Sequence, residues 1–169
     1  IHMPLIGSHN VYNALAAIAA GRVLGLTEHQ LQRGLSEYRG MPMRQELIHL
    51  GEYTFINDAY NANPTSMAAA LQNFRNMTVS HKMLILGDMR ELGTESLNEH
   101  QKIVDYIKES DFEKVWLVGE QFASVCHSFK TYANVQEVIK ELETNKPKGY
   151  TILIKGSNGI KLSSTVEYL

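Results

Sequence analysis

The chain has 169 residues, enough for one ordinary domain with a small appendage. Hydrophobic residues make up 44% and charged residues 20%, with a net charge of −2, which is the composition of a folded, water-soluble protein. The absence of any basic block argues against nucleic-acid binding, which needs clustered Lys and Arg to neutralise phosphates. One cysteine, Cys126, excludes an internal disulfide and any C-x-x-C zinc pattern, and fits a reducing, cytoplasmic setting. No apolar run approaches the roughly 20 residues of a membrane helix. The start, Ile1-His2-Met3, is compatible with a cloning remnant, which would make the chain a cut piece of a longer protein.

In chain order, the first segment predicts a helix from Asn10 to about Gly21. Val11, Leu15 and Ile18 share one face and alanines fill the rest. A second helix begins at a capping box, Thr27 with Gln30, and Leu26 with Leu31 have the spacing of a hydrophobic staple. Leu31, Leu35 and Tyr38 line one of its faces, and Gly40-Met41-Pro42 breaks it. Glu46–Leu50 and Tyr53–Asp58 then read as a hairpin. A polar turn, Ala59–Pro64, leads into a helix with Asn63 as cap and Pro64 in its first turn. Met67, Ala70, Leu71, Phe74 and Met77 follow at helical spacing.

From there strands and helices alternate. Met83–Leu86 is an apolar strand, and Ser96–Glu109 a helix with a predicted capping box of Ser96 and Glu99. Val115–Val118 is a strand, and Phe122, Val125 and Cys126 suggest a short helix, with Cys126 in the core and His127 at its edge. Tyr132 falls in a short strand. Val135, Val138, Ile139 and Leu142 mark a helix, Thr151–Ile154 a strand, and Ile160–Tyr168 a last helix. This alternation predicts an α/β domain, Rossmann-like, with a mostly parallel sheet, helices on both faces and an initial hairpin. The expected division is 1–40 and 41–169. The two leading helices are too small to hold a core alone.

Ligands in such sheets bind beyond the carboxyl ends of the strands. Three polar segments there converge if their strands are neighbours: residues 57–64, Gly87-Asp88-Met89-Arg90-Glu91-Leu92-Gly93, and Lys155-Gly156-Ser157-Asn158-Gly159. Gly119-Glu120 is a fourth such end. In the first, Asp58 suits a ribose hydroxyl, and asparagines ahead of a helix N-terminus suit phosphate or carboxylate oxygens. Asx-turns and an N-cap are the plain alternative, which accounts fully for Asn63 and extends to Asn61. In the second, Asp88, Arg90 and Glu91 suit recognition of an amine and a carboxylate together, or form a solvated charged loop. In the third, Lys155 and Ser157 suit an anion or a plain turn, and the spacing fails the P-loop pattern. His9, Asn10 and Asn13 cluster at the first helix start, Arg44 sits at the break between the two parts, and His100 reads as a structural or surface residue.

Taken together, these segments resemble the Mur ligase family. Residues 7–17, GSHNVYNALAA, are similar to its G-x-H-N-x-x-N-x-L-A-A helix. Gly40 to Glu46 resembles its arginine hinge motif, Asp58 to Met67 its D-[SA]-Y-N-A-N-P-x-S-M stretch, Leu86 to Gly93 its L-G-D-M-x-E-L-G loop, and Lys155-Gly156-Ser157 its late K-G-S. His100 follows where the family has a histidine. Asn158 stands where an arginine is common. Y-N-A-N-P with G-D-M-x-E-L-G points to the member whose amine substrate is D-alanyl-D-alanine.

The resemblance implies an ATP-dependent amide ligase of peptidoglycan synthesis in three domains. The UDP-N-acetylmuramoyl-tripeptide carboxylate is activated as an acyl phosphate and attacked by the dipeptide amine. The missing N-terminal and central domains would bind the UDP-sugar and hold the phosphate loop and most Mg2+ ligands. Residues 1–40 would be the last helices of the central domain and 41–169 the C-terminal domain, inactive alone. His9, Asn10 and Asn13 would lie near adenine. Arg44 and Asp58 would contact ribose or phosphates, and Tyr60, Asn61 and Asn63 would line the nucleotide. Asp88, Glu91, Lys155 and Ser157 would face the dipeptide. No metal ligand, nucleic-acid partner or membrane partner is implied. From the residues alone, a non-catalytic nucleotide- or peptide-binding module, another amino-acid-adding Mur ligase and a folylpolyglutamate synthase stay open.

Overall fold

The computed structural model describes residue 3 and residues 9–38, 40–51 and 53–169. The chain divides into two compact units, residues 1–41 and 42–169.

In the first unit, α1 spans His9–Val23 and α2 spans Glu28–Glu37. The Thr27 capping box forms: its side chain accepts from Gln30 N, and Gln30 Oε1 accepts from Thr27 N at 2.8 Å. Gly21 lets the chain that follows pack close against α1. A Cβ there would lie 2.4 Å from the Leu31 side chain and 3.2 Å from that of Leu26, so both leucines close over a bare backbone. Leu31 is buried, but Val11 and Leu15, expected on the packed face of α1, are 54% and 57% exposed. Two helices of this length have too little shared surface to cover both faces of α1.

The second unit begins with the predicted hairpin, β1 (Glu46–Leu50) and β2 (Tyr53–Asp58), in the register Glu46↔Asn57 to Leu50↔Tyr53. It continues through α3 (Pro64–Arg75), β3 (Lys82–Gly87), α4 (Ser96–Lys108), β4 (Lys114–Val118), α5 (Glu120–Ala123), β5 (Lys130–Tyr132), α6 (Val135–Thr144) and β6 (Thr151–Lys155). The sheet order is β1-β2-β6-β3-β4-β5, and every pairing except β1 with β2 is parallel. The expected α/β fold, mostly parallel with helices around the sheet, is what the chain adopts. Strand residues alternate between faces. Phe55, Met83, Ile85, Trp116, Val118, Ile152 and Ile154 pack with Val138 and Leu142 of α6 and with Leu162 and Leu169. Their neighbours Ile56, Leu84, Leu86, Leu117 and Leu153 are buried on the other face.

The last strand enters between β2 and β3, so the order of strands reverses there. This is the position at which α/β sheets open a crevice at their carboxyl edge. Two glycines let the strand ends close on each other. A Cβ on Gly156 would lie 3.0 Å from Gly87 Cα, and one on Gly87 would lie 3.0 Å from Ile160 and Leu162 side chains.

Four local expectations are corrected. Ser96 and Glu99 form no capping box. A 3-10 turn, Gly93–Glu95, runs directly into α4, so Ser96 is already helical (φ −53°, ψ −53°) and its hydroxyl donates to Gln121 Oε1 at 2.8 Å, while Glu99 pairs with Lys102. The segment 160–168 is not one α-helix. Lys161, at φ +60°, separates two 3-10 stretches, Asn158–Ile160 and Leu162–Tyr168. Cys126 is exposed, because α5 ends at Ala123 before reaching it. Met77 lies beyond the end of α3 and is half-buried.

Candidate functional site

Polar side chains gather at the carboxyl edge of the sheet in two networks, one at β2 and β6, the other at β3 and β4. In the first, Asp58 ends β2 directly opposite Lys155 of β6. Lys155 Nζ donates to Asp58 Oδ2 at 2.7 Å and to Asn61 O at 3.1 Å. The residues are 2% and 8% exposed, so the ion pair is out of water. Asp58 Oδ1 accepts from Gln45 N at 3.2 Å, which ties the segment before β1 to the same carboxylate. Removing either charge would strand the other in a medium of low dielectric.

The segment around Arg44 is bent by two left-handed residues that are not glycine, Met43 (φ +59°) and Gln45 (φ +49°). Each such residue costs roughly 1–2 kcal/mol, and hydrogen bonds hold both. Met43 N donates to Glu46 Oε2 at 3.0 Å, Met43 O accepts from Tyr60 N at 3.0 Å, and Gln45 N binds Asp58. Arg44 between them is exposed, with its guanidinium carbon 4.1 Å from the centre of the Tyr60 ring. Among the described residues it forms no ion pair. Asn61 Oδ1 accepts from Ala62 N at 2.9 Å. Asn63 caps α3 as predicted, in a reciprocal pair with Ser66 (Oδ1 to Ser66 N 2.8 Å, Ser66 Oγ to Asn63 N 3.1 Å).

In the second network, Asp88 is turned inward. Its Oδ2 accepts from Gln121 N and its Oδ1 from Phe122 N, both at 3.0 Å, so it caps the short helix α5. Gly119 makes room for it: the residue sits at φ +122°, and a Cβ there would fall 2.2 Å from Asp88 Oδ2. His100 is fully buried against Phe122, with ring centroids 4.6 Å apart. Its Nε2 accepts from Met89 N at 3.0 Å while Nδ1 lies 2.7 Å from Ser96 O, which places the proton on Nδ1. His100 therefore holds the 88–91 loop, a structural role and not a surface one. Ser157 is buried too. Its Oγ accepts from Arg90 N at 2.9 Å and donates to Ala62 O at 3.4 Å, so it bridges the two networks.

Beside this network is an open cleft of about 720 Å³, lined by Asp88, Arg90, Glu91, Ser96, Gly119, Glu120 and Gln121 among others. Glu91 stands at φ +65° with its side chain exposed and unbonded among the described residues. The Arg90 guanidinium lies over Gly159, where a Cβ would meet Nη1 at 2.2 Å. Beside the committed Asp88, the cleft thus offers one exposed cation, Arg90, and two exposed carboxylates, Glu91 and Glu120, which suits a small zwitterion.

Of the twelve expected site residues, Arg44, Asp58, Tyr60, Asn61, Asn63, Asp88, Glu91, Lys155 and Ser157 fall on this edge. Asn10 and Asn13 lie in the first unit, where Asn13 Nδ2 donates to Asn10 Oδ1 at 3.1 Å. Gly7, Ser8 and the side chain of His9 lie outside the described residues. Gln45 and Gln121 carry no site signal in the sequence, and Gly119 carries only that of a strand end. Only the glycine after a strand hinted at Gly119, and nothing local marks a backbone N–H as an acceptor's partner. Among the described residues, no three His, Cys, Asp or Glu could hold a metal ion, and no helix is long and apolar enough to cross a membrane.

Comparison with known proteins places this edge in a family. The family described as Mur ligase, glutamate ligase domain, matches residues 43–158. The UDP-N-acetylmuramoyl-tripeptide--D-alanyl-D-alanine ligase of Bacillus subtilis is 36% identical over 99% of this chain, and that of Escherichia coli is 33% identical over 99%. The chain spans only 39% and 38% of their lengths. A crystal structure of MurF from Acinetobacter baumannii superposes with a TM-score of 0.86 at 31% identity, covering 99% of this chain and 39% of that one. The chain belongs to the Mur ligase family.

Proposed function

We propose that this chain is the C-terminal part of a cytoplasmic ligase that joins D-alanyl-D-alanine to UDP-N-acetylmuramoyl-tripeptide in peptidoglycan synthesis. The observation that carries the reading is the match, over 99% of the chain, to ligases bearing that name. Residues 1–40 are read as the end of a central ATP-binding domain and 41–169 as the domain that closes over it. ATP, with Mg2+ held mainly by the central domain, supplies the phosphoryl group that activates the tripeptide carboxylate.

The residues of this chain fit that task. Arg44, stacked over Tyr60 and without an ion-pair partner among the described residues, presents a cation to an anionic nucleotide. Asp58, Tyr60, Asn61 and Asn63 shape the same rim, and His9, Asn10 and Asn13 are read as the adenine side. The cleft at β3 and β4 is read as the dipeptide site, with Glu91 toward the ammonium. Asp88 and Ser157 have their polar atoms committed to protein partners, so their part is to hold the cleft's walls. Lys155 likewise holds Asp58 and the Asn61 carbonyl. Binding and orientation of this kind, with water excluded on closure, convert an encounter of two substrates into a reaction within one complex.

The chain alone lacks the phosphate loop this chemistry requires. With ATP, Mg2+ and both substrates it is expected to release no phosphate above background, whereas the full-length enzyme turns over. Steady amide formation by the isolated chain would contradict the reading.

A further inference from the structure

The nucleotide reading leaves open what keeps Arg44 in place. An exposed arginine usually samples many rotamers, and ordering it at the moment of binding costs affinity. Here the backbone on both sides is strained and pinned, and one pin on each side reaches the segment from Asp58 to Tyr60. Met43 O accepts from Tyr60 N, and the ring of the same Tyr60 lies 4.1 Å beneath the guanidinium. Tyr60 in turn follows Asp58, which holds Gln45 N, and precedes Asn61, whose carbonyl is held by Lys155. Strain of this kind persists only where surrounding structure enforces it, and it points to a functional role for what it presents.

We propose that Tyr60 is a positioning residue: it acts on the nucleotide through Arg44, holding the guanidinium over its ring before the phosphates arrive. The ring supplies a flat, weakly attractive face that leaves all five N–H donors directed outward in the guanidinium plane, whereas a carboxylate partner would occupy two of them. The tyrosine hydroxyl has no part in this. The inference rests on the reading of Arg44 as a phosphate ligand.

The test uses the full-length enzyme with Tyr60→Leu, Tyr60→Phe and Arg44→Ala. Loss of an exposed cation–π contact is expected to raise the KM for ATP roughly two- to fivefold, with kcat within a factor of two. Tyr60→Phe, which keeps the ring face, restores most of that loss. In the 169-residue chain, the Arg44 δ-methylene protons are expected upfield in the NMR spectrum, from the ring current, and at ordinary positions in Tyr60→Leu. A wild-type chain without that upfield shift overturns the proposal. So does a Tyr60→Phe variant as impaired as Tyr60→Leu, which would assign the effect to the hydroxyl. If Arg44→Ala raises KM and Tyr60→Leu does not, only the positioning role falls. If Arg44→Ala leaves KM unchanged, the phosphate-ligand reading fails and this inference with it.

Discussion

Asp58 and Asp88 occupy the same place in the fold, the carboxyl end of a parallel strand, yet their surroundings differ in kind. Asp58 is neutralised by a charge from another strand, Lys155, and shares its second oxygen with a strained segment that presents Arg44. Asp88 is satisfied by two backbone N–H groups of one short helix and needs no counter-ion beside it. The first arrangement stores charge and strain at the rim. The second spends its aspartate on shape, leaving exposed Glu91 and Glu120 to supply charge to the cleft. Equal position therefore does not mean equal role: the partner of a carboxylate decides whether it tensions a site or frames one.

The largest effect should come from splitting the Asp58 pair. Lys155→Met leaves a carboxylate buried beside one N–H, and urea unfolding should show a loss of about 3–5 kcal/mol. The double variant with Asp58→Asn should lose less than that single change. A double loss equal to the sum of the two single losses would mean the two are not coupled. Next comes Asp88→Asn, which keeps one oxygen for one backbone donor and turns an N–H2 toward the other. A loss of roughly 1–3 kcal/mol is expected, with faster amide exchange at Gln121 and Phe122. No change in either would undo the contrast between the two aspartates.

A smaller effect separates strain from function in the second network. Glu91→Gly removes a left-handed glutamate, and relief of that strain offsets the added chain entropy of glycine to within about 1 kcal/mol. Thermal stability should hold while the full-length enzyme loses affinity for its amine. The smallest effect lies away from both networks. The Lys130 ammonium, hydrogen-bonded to Glu141 (2.8 Å) and near Tyr132, has its pKa raised above the usual 10.5, and that bond lowers the pKa of Glu141 below 4.5. The lysine's contribution is present below its unfolded pKa and is lost as pH rises through the raised value. The glutamate's is present above its unfolded pKa and is lost as pH falls through the lowered one. Both groups are solvent-screened, so Lys130→Met should cost at most about 0.5 kcal/mol at neutral pH. The difference from wild type should vanish below the carboxylate range and above the lysine range.

Much of the fold was legible because its signals are local. Asn63, Pro64 and Ser66 are adjacent, and so are Thr27 and Gln30, and both caps form as read. The hairpin follows from Gly51 between two alternating runs. Ser96 misled because a cap depends on the backbone entering the helix, and the 3-10 turn before it has no pattern of its own. Lys161 misled in the same way, as a left-handed lysine has no residue signature. In the site, Asp58 and Lys155 were both singled out, but their pairing spans 97 residues and depends on β6 entering between β2 and β3. The inward turn of Asp88 was invisible for the same reason, since its partners lie beyond another strand.

The most direct measurement is of phosphate release by the full-length enzyme with ATP, Mg2+ and UDP-N-acetylmuramoyl-tripeptide against a panel of amines. Release is expected to depend on D-alanyl-D-alanine, with free D-alanine and L-glutamate far weaker. Release driven by a single amino acid, and indifferent to the dipeptide, would contradict the proposed function.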